Sequence, residues 1–119
     1  MKEVIIISIS DVEKVDAMGI SKDGQQLILL ITDHLNWKNE YDHLMQLQNK
    51  INSYLGYIES QQYSEVYPNR EFSSFKIDIR FKYNITTQCL KFIEAVNTQV
   101  SRFNIMIDIT PENDNISYN

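Results

Sequence analysis

The stretch FKIDIRFKY, at residues 75–83, alternates apolar and polar side chains without interruption. Because successive side chains of a strand point to opposite faces, this pattern predicts a strand with one face on a core and the other in water. The apolar positions are the odd-numbered residues, whereas the polar face carries Lys76, Asp78, Arg80 and Lys82. Such a strand requires further elements that cover only one face of its sheet.

Other hydrophobic runs predict the rest of the sheet. Residues 15–20 and 26–32 flank SKDG at 21–24, and its Asp-Gly pair is typical of a hairpin turn. The run QLILLIT at 26–32 is unbroken, which indicates a central strand with both faces at least partly covered. Alternation in FNIMIDI predicts a last strand at 103–109. Its inward side chains are Phe103, Ile105, Ile107 and Ile109.

Two further features near the N-terminus concern the strands. The β-branched run Val4–Ile9 reads as a strand, or as an arm added to a sheet edge. Gly19 lies inside the predicted strand 15–20, where a glycine indicates a bulge or the close approach of another backbone.

The clearest predicted element is a helix that ends near Gln61. Asn36 or Asn39 is its N-cap, and acidic residues follow in the first turn, where they favour the positive end of the helix dipole. Its polar positions, Lys50 among them, are expected to face water. Its apolar stripe repeats at three- and four-residue spacing: Leu44, Leu47, Ile51, Tyr54, Leu55 and Ile58.

A second helix follows the alternating strand. Thr86 or Thr87 is its predicted N-cap. Its buried stripe is predicted to be Leu90, Ile93, Val96 and Val100. Cys89 lies in the first turn, where the helix dipole stabilises a thiolate, but no base is apparent nearby, and a small packing residue is the more common role.

The predicted order is β-ββ-α-β-α-β, in a single α+β domain over residues 1–119. We expect a two-layer sandwich, with a mixed four- to five-stranded sheet and two helices on one face. Residues 1–11 are an N-terminal edge strand or arm, and 111–119 a loose tail. The sequence leaves the direction of strand 75–83 open.

Composition narrows the classes of function. The net charge of −5 makes nucleic acid an unfavourable partner, because phosphate binding needs a concentrated basic face. The single cysteine excludes an internal disulfide and a multi-thiolate zinc site. No phosphate loop or other cofactor motif occurs, so no cofactor is predicted. The N-terminal apolar run is too short for a signal peptide or a membrane span, and we expect a cytoplasmic protein.

Two groups of residues are candidate sites. Asp33 and His34 follow a central strand, and His43 lies early in the helix. Together they are candidates for a general acid–base or metal group. In the alternative, these residues only cap and pack the strand-to-helix junction. No metal-binding spacing supports the first alternative. Lys76, Arg80 and Lys82 form a basic strip that is either a partner-binding surface or an ordinary solvated face.

Three motifs, VDAMGI, ITDHLNW and LQNKINSYLGYIES, resemble a family of short bacterial proteins known as a domain of unknown function. The resemblance covers roughly residues 12–109 and leaves residues 1–11 outside. It implies one domain and a bacterial cytosolic origin, and it brings no catalytic residue.

The function favoured by these features is a non-enzymatic binding or protein-interaction module of the immunity or accessory type, acting on a protein partner or on itself as a homodimer. The alternative is a small hydrolase or metal-dependent enzyme that uses Asp33, His34 and His43.

Overall fold

A computed structural model describes residues 15–111. The predictions for Val4–Ile9 and for the tail after residue 111 lie outside the described residues. Short 3-10 turns occupy Gln62–Glu65 and Ser101–Phe103. The strands and helices are, in chain order, β1 (Ala17–Ile20), β2 (Gln26–Asp33), α1 (Glu40–Glu59), β3 (Ser74–Phe81), α2 (Thr87–Val100) and β4 (Ile105–Pro111).

The strands form one four-stranded sheet in the order β1-β2-β3-β4. β1 pairs with β2 antiparallel, while β2 with β3 and β3 with β4 are parallel. The two parallel connections run through α1 and α2, and both step in the same direction across the sheet. Right-handed crossovers therefore put both helices on one face. The predicted α+β fold is confirmed, and the open question is settled because β3 is parallel to β2.

The core lies between the helices and alternate residues of the central strands. In β2 the residues with odd numbers from 27 to 33 are buried, and those between them are half-buried. Ile77, Ile79 and Phe81 of β3 continue this face, and Ile105 and Ile107 of β4 complete it. The sheet thus has a covered face, and an open face over which no element of residues 15–111 packs.

The helix caps follow the local sequence. Asn39 caps α1 by accepting a hydrogen bond from the Asp42 N–H, and Thr86 caps α2 by accepting one from the Cys89 N–H. Each of these satisfies a main-chain donor that the first turn of a helix leaves without a partner. One of each predicted pair of caps is confirmed.

Three predicted core positions are wrong. Leu90, expected in the stripe of α2, is exposed, because Cys89 and Ile93 define the buried side and Phe92 packs beside them. Phe103 belongs to a 3-10 turn rather than to the last strand, and it is exposed. Tyr83 lies beyond the end of β3 and is also exposed.

The loop between α1 and β3 folds back on the domain. Tyr63 is buried and packs its ring against Phe72 and Phe75, with centroid separations of 5.7 and 5.6 Å. This aromatic cluster closes the end of the core that lies farthest from Asp33.

The bulge expected at Gly19 is absent from the β1–β2 ladder, which is regular from Ala17 to Ile20. A Cβ atom at Gly19 would meet no atom of the described residues within 4 Å. The glycine is therefore not required by the packing of this part of the chain.

Candidate functional site

Asp33 and His43 meet at the junction of β2 and α1. His43 Nε2 lies 2.6 Å from Asp33 Oδ2, and the two residues are only 2% and 1% exposed. The other carboxylate oxygen accepts the Leu35 N–H at 3.0 Å, which turns the chain out of the strand. His43 Nδ1 lies 3.0 Å from the carbonyl oxygen of Asn36. The pair thus ties the end of the strand to the first turn of the helix.

These partners account for every nitrogen of the imidazole. A main-chain carbonyl only accepts, so Nδ1 of His43 carries a hydrogen and donates it to Asn36. The opposite nitrogen faces a carboxylate, and the short contact holds a further proton between Nε2 and Asp33. The Trp37 ring stacks on the imidazole at a centroid distance of 3.6 Å. A histidine held in this way has no free lone pair with which to take a proton from a substrate.

The third candidate is elsewhere. His34 is exposed, and within residues 15–111 no hydrogen bond or ring contact joins it to His43. The structure therefore brings Asp33 and His43 together and leaves His34 at the surface. In the described part of the chain, no group of three or more His, Cys, Asp or Glu side chains is placed to hold a metal ion.

A shallow depression of about 170 Å³ borders His43. Asn36, Asp42 and Gln46 contribute to its walls, and His43 forms part of them. Because both nitrogens of His43 are engaged, the imidazole presents no free donor or acceptor to this depression.

A second buried pair, Asp16 with Lys50, was not predicted from the sequence. Lys50 is fully buried and its Nζ lies 3.0 Å from Asp16 Oδ1, so the prediction that Lys50 faces water is wrong. The other oxygen of Asp16 accepts hydrogen bonds from the N–H and the hydroxyl of Thr32, at 2.8 and 3.1 Å. An ammonium can be buried only when a carboxylate and further hydrogen bonds compensate for its lost hydration.

Tyr54 completes this network. Its hydroxyl donates to the Leu30 carbonyl and accepts the Asp16 N–H at 2.7 Å. Burial raises the pKa of Tyr54 far above its ordinary value, and the negative charge of Asp16 adds to this effect. The phenol therefore stays neutral and acts as a bridge between two main-chain groups.

Cys89 is a buried free thiol. Burial raises its pKa to about 12, and the charges of Asp33 and Glu40 contribute in the same direction. The thiol therefore remains protonated at neutral pH, which is the reverse of what a nucleophile needs. These properties suit the packing role.

The basic strip lies on the open face. Lys76 Nζ is 3.7 Å from Asp108 Oδ2, and Arg80 Nε is 3.6 Å from Asp78 Oδ2. Lys82 follows the end of β3, with its Nζ 5.7 Å from the centroid of the Tyr83 ring. Positive and negative side chains therefore alternate on this surface.

The fold and these contacts define a small α+β domain that buries the pairs Asp33–His43 and Asp16–Lys50 under its sheet. The chain matches a family of unknown function, DUF6572, over residues 7–113, and it belongs to that family. The match confirms the resemblance and extends it to residues 7–11, which were expected to lie outside it. No curated protein and no solved structure shows significant similarity to the chain. Within residues 15–111, neither helix is long and apolar enough to cross a bilayer.

Proposed function

We propose that the protein is a non-enzymatic protein-interaction module that binds its partner through the open face of the sheet. The observation that supports this most strongly is which ionisable side chains are buried and which are accessible to solvent. The side chains of Asp33 and His43 are buried and hydrogen-bonded, and those of Asp16 and Lys50 form a buried ion pair, whereas the charges of the open face stay accessible. The alternative, an enzyme that uses Asp33, His34 and His43, requires accessible groups, and two of these three are buried.

The open face has the chemistry of a protein interface. Its apolar part consists of Ile28 and Leu30 on β2, which are half-buried, and Met106 on β4, which is 46% exposed. The charged side chains of β3 and β4 lie next to them in the same rows of the sheet. Lys76 lies between Ile28 and Met106 in one of these rows, so apolar and charged side chains alternate across the face. Non-obligate protein interfaces have such a mixed apolar and polar composition. The alternating signs do not favour a polyanion, which needs a concentrated positive surface.

The partner that we propose is a protein, either a foreign chain of the kind that immunity and accessory proteins bind or a second copy. The net charge of −5 speeds encounter with a basic partner. The reduced, buried thiol of Cys89 is compatible with the bacterial cytosol, where we propose that the protein acts.

Affinity capture from a bacterial host that encodes the chain tests this function. The bait is the tagged full-length chain, either wild type or with both Lys76→Glu and Arg80→Glu. Lys91→Glu on the exposed side of α2 is the matched control, since it reverses a charge away from the open face. We expect one protein, identified by mass spectrometry, to be retained by the wild type and the control and lost from the double variant. Equal retention by all three baits contradicts the proposal, as does a wild-type bait that retains nothing.

A further inference from the structure

The two edge strands of the sheet, β1 and β4, differ in whether their outward main-chain groups have hydrogen-bond partners. At the β4 edge, the carboxamide of Asn97 on α2 bonds to both main-chain groups of Ile107. Ile107 N–H donates to Asn97 Oδ1 at 2.8 Å, and Asn97 Nδ2 donates to the Ile107 carbonyl at 3.0 Å. A strand added to this edge would use the same two groups. Asn97 therefore occupies the place of a neighbouring peptide.

Two further devices block the same edge. In a parallel ladder alternate residues bond to the partner strand, so Ile107, Ile109 and Pro111 direct their main-chain groups away from β3. The Ile109 N–H donates to Asp108 Oδ1 at 3.0 Å, and Pro111 has no N–H to offer. Proteins protect exposed strand edges with such charged residues and prolines. The β4 edge is thus closed to another strand.

Among residues 15–111, nothing protects the β1 edge in these ways. Ser21 N–H donates to the Gln26 carbonyl at 3.0 Å, which sets the alternation of the antiparallel ladder. Gly19 accordingly bonds to β2, whereas Met18 and Ile20 direct their main-chain groups outward. No hydrogen bond within residues 15–111 engages those outward groups. β1 also carries no charged side chain, so two copies meet without like-charge repulsion.

Gly19 lies at the centre of this open edge. A glycine inside a strand often marks the close approach of another backbone. Within the described residues nothing comes within 4 Å of the Cβ position that Gly19 lacks. The close approach of another backbone that a glycine at this position indicates is therefore not made by residues 15–111.

We propose that β1 pairs antiparallel with β1 of a second copy, about a two-fold axis at Gly19. In this register Met18 of each copy faces Ile20 of the other, so all the outward main-chain groups of β1 are paired. The two glycines then face each other as a non-hydrogen-bonded pair, with Cα atoms about 4.5 Å apart. The contact is isologous, as two-fold dimers require. It uses the sheet edge and does not depend on which partner occupies the open face.

Disulfide trapping in the full-length chain tests this pairing. A cysteine at Gly19 meets no steric obstacle among the described residues, and a Cα separation of about 4.5 Å is within the range that disulfides span. Met106→Cys is the matched control, because Met106 is exposed on the open face of the opposite edge strand. The natural Cys89 is buried and protonated, so it does not compete. Circular dichroism confirms that both variants fold.

In a glutathione redox buffer we expect Gly19→Cys to form a covalent dimer at least tenfold faster than Met106→Cys. The wild type is expected to sediment as a concentration-dependent dimer. Equal rates for the two variants indicate random collision and overturn the proposal. A monomeric wild type with an unlinked Gly19→Cys thiol overturns it as well, whether that edge is empty or taken by another segment of the same chain. Cross-linking only to a different protein in a host lysate also overturns it.

These outcomes separate the two proposals. Failure at the β1 edge leaves the charge-reversal result on the open face unaffected, because Lys76 and Arg80 lie on β3 and not at that edge.

Discussion

The two faces of the sheet both carry pairs of opposite charge, but the pairs are built differently. On the covered face, His43 to Asp33 and Lys50 to Asp16 span 2.6 and 3.0 Å and are almost completely buried. On the open face the corresponding contacts measure 3.7 and 3.6 Å, and each includes a side chain about half exposed to water. The two sets of pairs combine similar acidic and basic side chains, but they differ in exposure to solvent.

This difference assigns separate roles to the two sets. Buried charges are costly to leave without partners, so the covered pairs fix one position of α1 on β1 and β2. His43 and Lys50 lie two turns apart on the same side of α1, which makes the helix position doubly specified. Exposed pairs contribute little to folding, and their charges remain available for recognition.

The largest effect is expected from Asp33→Ala. This change leaves the buried imidazole without its carboxylate and removes the acceptor of the Leu35 N–H. Breaking a buried charge pair in this way typically costs about 3–5 kcal/mol of unfolding free energy. Urea denaturation followed by circular dichroism measures the loss.

Asp33→Asn is the matched control for that substitution. The amide can accept the Leu35 N–H with its oxygen and donate to Nε2 of a neutral His43, whose Nδ1–H still reaches Asn36. We therefore expect a loss of only about 1 kcal/mol, as for a neutral hydrogen bond that replaces a charged one. Equal losses for the two variants contradict the assignment of Asp33 as the partner of His43.

Tyr54→Phe is expected to have the next largest effect. The hydroxyl bridges the Asp16 N–H and the Leu30 carbonyl, and both groups lose this partner when the oxygen is removed. The expected cost is about 2 kcal/mol, since unsatisfied buried polar groups carry a desolvation penalty. Tyr57→Phe on the same helix is the control, because within residues 15–111 its hydroxyl has only one polar contact, to the sulfur of Met18 at 3.5 Å. If both phenylalanine variants lose the same stability, the bridge is not important to the fold.

Asn97→Ala tests the polar contact by which α2 is attached to Ile107 of the sheet. It removes two hydrogen bonds to Ile107, with an expected loss of about 1–2 kcal/mol. It also exposes the β4 edge, so we expect it to increase self-association in sedimentation experiments. Thr98→Ala, on the exposed side of the same helix, is expected to do neither. A stable, monodisperse Asn97→Ala protein would show that the edge needs no cover.

The period of the sequence predicts the apolar parts of this arrangement well. Alternation placed β3 and β4, and the three- and four-residue spacing placed α1, because both patterns follow directly from the geometry of the elements. The turn at Ser21–Gly24 and the caps at Asn39 and Thr86 are equally local, and they too agree with the structure.

The buried polar pairs could not be predicted in the same way. Lys50 lies three residues after Leu47 and four before Tyr54, so the helical period already places it on the buried stripe. The charge of the Lys50 side chain favours a position that faces water, and only a buried partner makes the buried position favourable. That partner, Asp16, is distant in the chain and reaches Lys50 only when β1 and α1 are both folded. Asp33 and His43 differ from this pair, because both lie at the strand-to-helix junction and the sequence already groups them as candidates. Only the tertiary structure shows that they contact each other while His34 lies exposed at the surface.

The smallest effect is expected on the open face. Lys76→Gln removes a contact whose two side chains are 26% and 49% exposed, and solvent screens most of its energy. The unfolding free energy should therefore change by no more than about 0.5 kcal/mol in urea denaturation. A loss above about 1.5 kcal/mol would show that the open-face charges hold the fold together, as those of the covered face do. A small loss of unfolding free energy for Lys76→Gln and a large one for Asp33→Ala would show that the fold does not depend on the open-face charges. Those charges can then serve to bind a partner.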